Sequence, residues 1–236
     1  MAQKKLQRFA DLKTFANVLE YPQNMQGEWG NFFKNTNPIV LELACGRGEY
    51  TVGLSKLFVD KNFLGVDVKG NRIYIGAKKC LDNKVLNAGF LRTQIAMLPQ
   101  YFAAGEVNEI WITFPDPQLR TAKAKKRLTH PYFLRLYQQV LTVDGHLHLK
   151  TDSPKLYEFT KKVIELYNLI LLEDIPDVYA VESSEALKIK THYEALDIAQ
   201  SNTIYYLKFK LPAVIIDLDE QLQTELQLAE SHVPAY

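Results

Sequence analysis

The sequence predicts an α/β fold built on one mostly parallel, seven-stranded sheet with helices on both faces. Three observations point there. Apolar runs of strand length alternate with longer segments of helical period, the pattern of successive βα units. A glycine pair, Gly46-x-Gly48, closes the first of these runs and opens a helix, a turn that such units use. The chain has 236 residues, 47% of them hydrophobic and 23% charged, an ordinary globular composition whose length suits one large domain or two small ones, with one α/β domain the simpler reading.

In chain order, residues 1–24 read as an N-terminal arm, partly basic in "MAQKKLQRFADLKTF", that leads to a short amphipathic helix. Residues 25–210 hold the sheet. Strands are expected at 38–44 (PIVLELA), 62–68 (NFLGVDV), 87–93 (NAGFLRT), 108–114 (NEIWITF) and 145–151 (GHLHLKT), with two more at 169–174 and 202–209 (NTIYYLKF). Helical spacing fills the gaps at 48–59, 70–85, 131–143 and 153–167. In the last of these Ser153 is the expected N-cap and Pro154 the first helical residue. Residues 211–236, with "DLDEQLQTELQLAES", form an acidic extension expected to be helical. Both ends are of the kind that packs on the body or frays.

A net charge of +1 cannot by itself announce an anionic partner, so any nucleic-acid partner must be argued from where the charges sit. They are unevenly placed. Arg120, Lys123, Lys125, Lys126 and Arg127 follow one another with no carboxylate between, while residues 213–236 carry Asp217, Asp219, Glu220, Glu225 and Glu230 with no Lys or Arg. The two cysteines, Cys45 and Cys80, form no C-x-x-C pair, so neither a disulfide framework nor a zinc site is indicated. His146 and His148 alternate on one strand face as two ligands do, but no third ligand is evident in the sequence. They read as core or surface histidines, and no metal is expected. The start lacks the apolar core of a signal peptide and no run approaches bilayer length, so the expectation is a cytoplasmic protein with no membrane partner.

The turn in "LELACGRGEY" lets the backbone approach a ligand closely, and the helix it opens offers unpaired N–H groups to an anion. Such glycines also occur at plain strand-to-helix turns. Asp67, at the end of the next predicted strand, stands where a carboxylate can accept from both hydroxyls of a ribose. Glu42 interrupts an otherwise apolar strand and needs a cation or donors to offset its burial, whether from a ligand or from a structural partner such as a lysine. A dinucleotide-binding turn carries a third glycine where this chain has Thr51. Further on, "FPDPQLRTAKAKKRLTH" ends a strand, turns on two prolines around Asp116 and runs into the cations. The prolines restrict the backbone around Asp116, and ligands in open α/β sheets bind beyond such strand ends. The cations fit either a solvated loop or a grip on phosphates.

With Glu42 ahead of the glycines, E-x-x-x-G-x-G resembles the first motif of class I S-adenosylmethionine methyltransferases, which implies a Rossmann-like fold and that cofactor. "FPDPQLRTAKAKKRLTHPYFL", then "LKTD" over 149–152 and "THYE" over 191–194, is similar to the tRNA (guanine-N7)-methyltransferase family across residues 25–210. The resemblance implies methyl transfer to N7 of a guanine in the tRNA variable loop, by a monomer or homodimer. It implies a cofactor site of Glu42, Gly46, Gly48, Asp67, Gln94 and Asp116, with Asp116 also catalytic. Arg120, Asp152, Thr191, His192, Tyr193 and Glu194 then match substrate positions, and Lys123, Lys125, Lys126 and Arg127 contact phosphates. The chain departs from the family in three places: Gln94 stands for an aspartate, Gln118 for a tryptophan and Arg120 for a lysine. Two residue-level alternatives stay open. Asp152 is also placed to cap the following helix, and Thr191 with Glu194 also fits a capping box. At the level of function, the rivals are amino-group methylation, against which FPDP argues because such enzymes show N-P-P-Y or D-P-P-Y, and RNA binding without catalysis.

The chemistry suits the residues. Guanine N7 owns an in-plane lone pair that needs no deprotonation, so positioning rather than a strong base is required. A carboxylate at Asp116 can accept from guanine N1–H and the exocyclic amine, and it favours the cationic product. This expectation requires Asp116 to open onto the same cleft as the cofactor turn.

Overall fold

The computed structural model describes residues 2–192, 194 and 203–231. In chain order the elements are α1 (Ala2–Leu12), β1 (Val18–Glu20), α2 (Trp29–Phe33), β2 (Ile39–Leu43), α3 (Glu49–Leu57), β3 (Asn62–Asp67), α4 (Gly70–Asp82) and β4 (Ala88–Arg92). There follow β5 (Val107–Thr113), α5 (Pro131–Gln138), β6 (Leu141–Thr151), α6 (Pro154–Leu166), β7 (Ile170–Ile175), β8 (Tyr205–Lys210) and α7 (Asp219–Ser231). Two 3-10 helices, Ile95–Gln100 and Thr121–Lys126, flank β5 and its following turn.

The strands form one sheet in the order β1-β4-β3-β2-β5-β6-β8-β7, parallel from β1 to β6, with β8 antiparallel to both neighbours. Among the described residues it has eight strands, not the seven expected from sequence. The additional one, β1, lies inside the predicted N-terminal arm and pairs with β4 from Val18 opposite Phe90 to Glu20 opposite Arg92. Three residues are too few to show a period of their own. Their pairing is held instead by the ion pair between Arg92 and Glu20 and by flanking backbone bonds. The helix expected over 131–143 ends at Gln138, because Leu141 is drawn opposite Val107 and starts β6 early.

Alternation along β2 sends Leu41 and Leu43 into the larger core, with Ile110, Leu147 and Phe209, and sends Val40 to the other face, with Tyr50, Trp111 and Tyr206. Both faces are therefore covered, which is why these strands read as nearly continuous apolar runs. The acidic helix α7 packs on the body: Leu222 is buried, Asp219 pairs with Arg135 of α5 at 2.7 Å and Glu225 pairs with Lys162 of α6. On the opposite flank α1 lies against α4, with Leu12 buried.

Strand order reverses between β2 and β5, so the chain leaves these neighbours in opposite directions and a crevice opens at their carboxyl ends. The glycine turn on one wall is set by close packing. Gly48 has φ +70° and is the N-cap of α3, a conformation that glycine adopts without steric cost. Gly76 of α4 lies so near that a Cβ there would sit 2.5 Å from the carbonyl oxygen of Arg47 in the turn. Gly76→Ala should therefore displace α4 or the turn and destabilise the fold by about 1–3 kcal/mol. Chemical denaturation checks this, and wild-type stability in the variant would show that the turn does not depend on the contact.

Candidate active site at the carboxyl ends of the strands

The crevice holds a cavity of about 770 Å³. It is lined by Ala44 after β2, by Asp67, Lys69 and Arg72 between β3 and α4, by residues 114–117 and Leu119 after β5, and by residues 152–155 after β6. Asp67, Asp116 and Asp152 thus share one cleft with Lys69, Arg72 and Lys155. Two strands leave for the cavity through left-handed non-glycine residues, Ala44 (φ +54°) after β2 and Phe114 (φ +47°) after β5, with Gln118 (φ +47°) closing the second turn. Each costs roughly 1 kcal/mol or more and persists because its surroundings hold it.

The glycine-turn wall is built on two carboxylates. Asp67 Oδ2 accepts from the backbone N–H of Gly46 at 2.9 Å, and Oδ1 accepts from that of Lys69 at 2.8 Å, so the side chain joins the turn to the start of α4. Each carboxylate oxygen retains a second acceptor position. Glu42 lies under the turn and does not line the cavity. Its partners are donors, not a lysine: Thr51 gives its backbone N–H at 2.7 Å and its hydroxyl, and Thr113 gives its hydroxyl at 3.0 Å. Thr51 occupies the place of the missing third glycine, and its hydroxyl is what Glu42 uses. Gln94 is exposed, caps the 3-10 helix Ile95–Gln100 without a side-chain bond, and does not line the cavity.

On the opposite wall Asp116 is exposed and lines the cavity, and its Oδ1 accepts from the Gln118 N–H at 3.0 Å. Pro115 beneath it is buried. The turn is held from behind by Arg127, whose placement corrects the expectation of a phosphate contact. Arg127 is 5% exposed, donates to the carbonyl oxygens of Pro117 and Gln118 at 3.1–3.3 Å and lies 4.4 Å over the Phe159 ring. Its Nε and Nη2 are engaged by the turn. Lys123, Lys125 and Lys126 project outward from Thr121–Lys126, while Thr121 and Ala124 face inward; Arg120 is exposed and outside the cavity lining.

Asp152 lines the cavity and leaves the capping of α6 to Ser153, whose Oγ accepts from the Leu156 N–H at 3.3 Å. Thr191 and Glu194 take the other alternative. Thr191 Oγ1 accepts from the Glu194 N–H at 3.1 Å and Glu194 Oε2 accepts from the Thr191 N–H at 3.4 Å, a capping box. The Glu194 carboxylate is occupied by Tyr179 and by Lys150, 3.0 Å away, so the structure does not bring it to the cavity. Lys150, fully buried on β6, also donates to the carbonyl oxygens of Leu187 and Ile189, and burial pulls its pKa below the ordinary lysine value. Sequence reading missed this anchor, although it lies within the quoted "LKTD". His192 is half-buried and outside the cavity lining, and Tyr193 lies outside the described residues.

A crevice at the strand-order reversal, with Asp67 bonded to a glycine turn on one side and a rigid acidic turn on the other, is the arrangement of a class I methyltransferase fold. A family model described as a putative methyltransferase matches residues 36–207. The chain is 43% identical over 98% of its length to a tRNA (guanine-N(7)-)-methyltransferase of Bacteroides thetaiotaomicron, covering 95% of that protein. It is 48% identical over 85% of its length to one of Porphyromonas gingivalis, covering 86%. The chain belongs to the tRNA (guanine-N(7)-)-methyltransferase family. Among solved structures it resembles the 16S rRNA methyltransferase KamB with a TM-score of 0.59 at 14% identity, covering 79% of this chain and 94% of that one, a likeness of fold.

Burial pushes the Glu42 carboxyl up to about 7, against the bonds from Thr51 and Thr113 that lower it. A carboxyl raised on folding contributes stability fully below its unfolded value of 4.5, and the contribution is lost as pH rises through about 7. Urea unfolding without ligand should show a loss of about 3 kcal/mol from this group across that window, and Glu42→Gln should remove this part of the slope. Parallel profiles for the two proteins would show that Glu42 stays ionised throughout.

Proposed function

We infer that the protein transfers a methyl group from S-adenosylmethionine to N7 of a guanine in tRNA, in the variable loop to which the resemblance points. The observation that carries this reading is that Asp67 and Asp116, from opposite walls, line the same cavity. The residues present suit the cofactor: Asp67 with acceptor capacity for ribose hydroxyls and an apolar wall from Ala44, Phe114 and Pro115, while the left-handed glycine turn, whose Gly46 and Gly48 lie outside the cavity lining, holds Asp67 through the Gly46 N–H. When bound, the cofactor supplies an electrophilic methyl on a sulfonium. Gly46, Gly48 and Asp67 would hold it, with Glu42 fixing the turn from beneath.

The protein's own work is orientation. Asp116, aimed by its prolines and by the bond to Gln118, accepts from the N1–H and exocyclic amine of guanine and offsets the positive charge that the purine gains. Adenine presents no such donor pair. Asp152 lines the same cavity on the substrate side, while Thr191 and Glu194 support the site by fixing a segment against Lys150. The exposed face of Lys123, Lys125 and Lys126 continues from the acidic turn and suits the sugar-phosphate backbone. One chain carries both walls of the cleft, so a monomer or a homodimer suffices. A tRNA substrate belongs to the cytoplasm, and among the described residues no helix is long and apolar enough to cross a membrane.

Incubation with methyl-labelled cofactor and unmodified tRNA should yield one alkali-labile guanine per tRNA. Asp116→Ala should lower turnover by about a hundredfold or more while cofactor affinity stays within a few fold; unchanged methylation would remove Asp116 from the mechanism. Replacing Lys123, Lys125 and Lys126 together with alanine should flatten the dependence of log tRNA affinity on log salt by about 2 to 3 units. Arg127→Lys should leave that slope intact and instead slow turnover by about tenfold, since an ammonium cannot supply the fork that holds the turn. A slope unaffected by the triple variant would reduce the basic face to a solvated surface.

A further inference from the structure

On the face of the sheet that carries Trp111, away from the cleft, three side chains with ligand atoms converge. A register shift between Val107 and Glu109 brings Glu109 opposite His146, and the next pair on that face is Trp111 opposite His148. One ligand atom from each of Glu109, His146 and His148 lies within 4.8 Å of the other two. His148 Nε2 is 3.7 Å from Glu109 Oε2, and His146 Nε2 is 3.9 Å from Glu109 Oε1. These separations are too long for hydrogen bonds. They are close to the roughly 3.3 Å between neighbouring ligands set tetrahedrally about a zinc ion at about 2.0–2.1 Å.

His148 supplies the independent observation. It is 4% exposed, its ring stacks on Trp111 with centroids 3.8 Å apart, and its Nδ1 is 2.7 Å from the Tyr206 hydroxyl. Its Nε2 is buried on the side of Glu109 and has no hydrogen-bond partner among the described residues. A buried ring nitrogen left without a partner is costly. An imidazole whose far nitrogen is held by a hydrogen bond is oriented as metal-binding histidines usually are.

We propose that Glu109, His146 and His148 form a binding site for a divalent transition-metal ion of the zinc class, tying β5 to β6 on the face opposite the larger core. Two imidazoles and one carboxylate are a borderline donor set that suits Zn²⁺, Co²⁺ or Ni²⁺ and not Mg²⁺ or Ca²⁺, which prefer all-oxygen sites. Three protein ligands leave a fourth position for water. The side chains of His146 and Glu109 are 21% and 14% exposed, so an ion reaches the site from their side. Besides the two histidines, Glu109 contacts the Trp111 Nε1–H at 3.4 Å and the ammonium of Lys61 on Oε1. Lys61 is the competitor: its side chain is 29% exposed and can move into water when an ion arrives.

The test is calorimetric titration of the full chain with ZnCl₂ in a non-chelating buffer, with the thermal midpoint recorded in parallel and the visible spectrum of the Co²⁺ form. One ion per chain and a raised midpoint are expected, together with a cobalt spectrum of low coordination number. His146→Ala should weaken binding at least tenfold, Tyr206→Phe by about 10- to 100-fold through loss of the ring orientation, and Lys61→Ala should tighten it severalfold. Lys61 and His146 are both partly exposed, so their variants leave the core intact and keep the test decisive if Tyr206→Phe fails to fold. Binding unaltered by His146→Ala, equal affinity for Mg²⁺, or no stoichiometric zinc binding would overturn the assignment.

Discussion

Glu42 lies beneath the point where the strand order reverses, and its carboxylate reaches both sides of it. One oxygen takes the N–H and hydroxyl of Thr51 at the head of α3, and the other takes the hydroxyl of Thr113 at the end of β5. The first partner belongs to the helix that the glycine turn enters, the second to the strand that ends in the Pro-Asp-Pro turn. A carboxylate so deeply buried tolerates its position only while all three donors are satisfied. Both walls of the cleft are therefore tied by hydrogen bonds to one side chain, in addition to the pairing of β2 with β5.

The remaining features of the cleft add to that fixed frame. Ala44 and Phe114 leave their strands in the left-handed region, and Arg127 holds the carbonyl groups behind Asp116. None of these groups does chemistry, yet each narrows the positions that the acidic turn can take. That is the appropriate investment for a reaction whose nucleophile already carries its lone pair, because the barrier then falls mainly through alignment of the reacting atoms and through charge placed in advance.

The same sheet face carries a continuous polar column that the apolar composition of the strands conceals. From one end to the other, cross-strand pairs run Glu109 with His146, Trp111 with His148 and Thr113 with Lys150. Thr113 joins this column to Glu42, and Lys150 joins it to Glu194 and the carbonyl oxygens of Leu187 and Ile189. Removing one member of a buried ion pair such as Lys150 with Glu194 leaves an uncompensated charge, so Lys150 fastens Leu187, Ile189 and Glu194 to the sheet.

The sequence by itself determined the βα order, five of the parallel strands, the two turns at the cleft and the cap of α6 at Ser153, because each is written in local periodicity or in a few adjacent residues. The glycine turn and the Pro-Asp-Pro turn are legible for the same reason. Tertiary structure decided the rest. Three residues at β1 have no period until β4 pairs with them, and Leu141 belongs to a strand and not a helix only because Val107 lies opposite. Arg127 looks identical to its lysine neighbours in sequence but points inward, Gln94 falls outside the cavity, and Thr191 and Glu194 bond to one another. Which polar atoms meet across the sheet depends on register and burial summed over the whole chain, and no short window of residues contains that information.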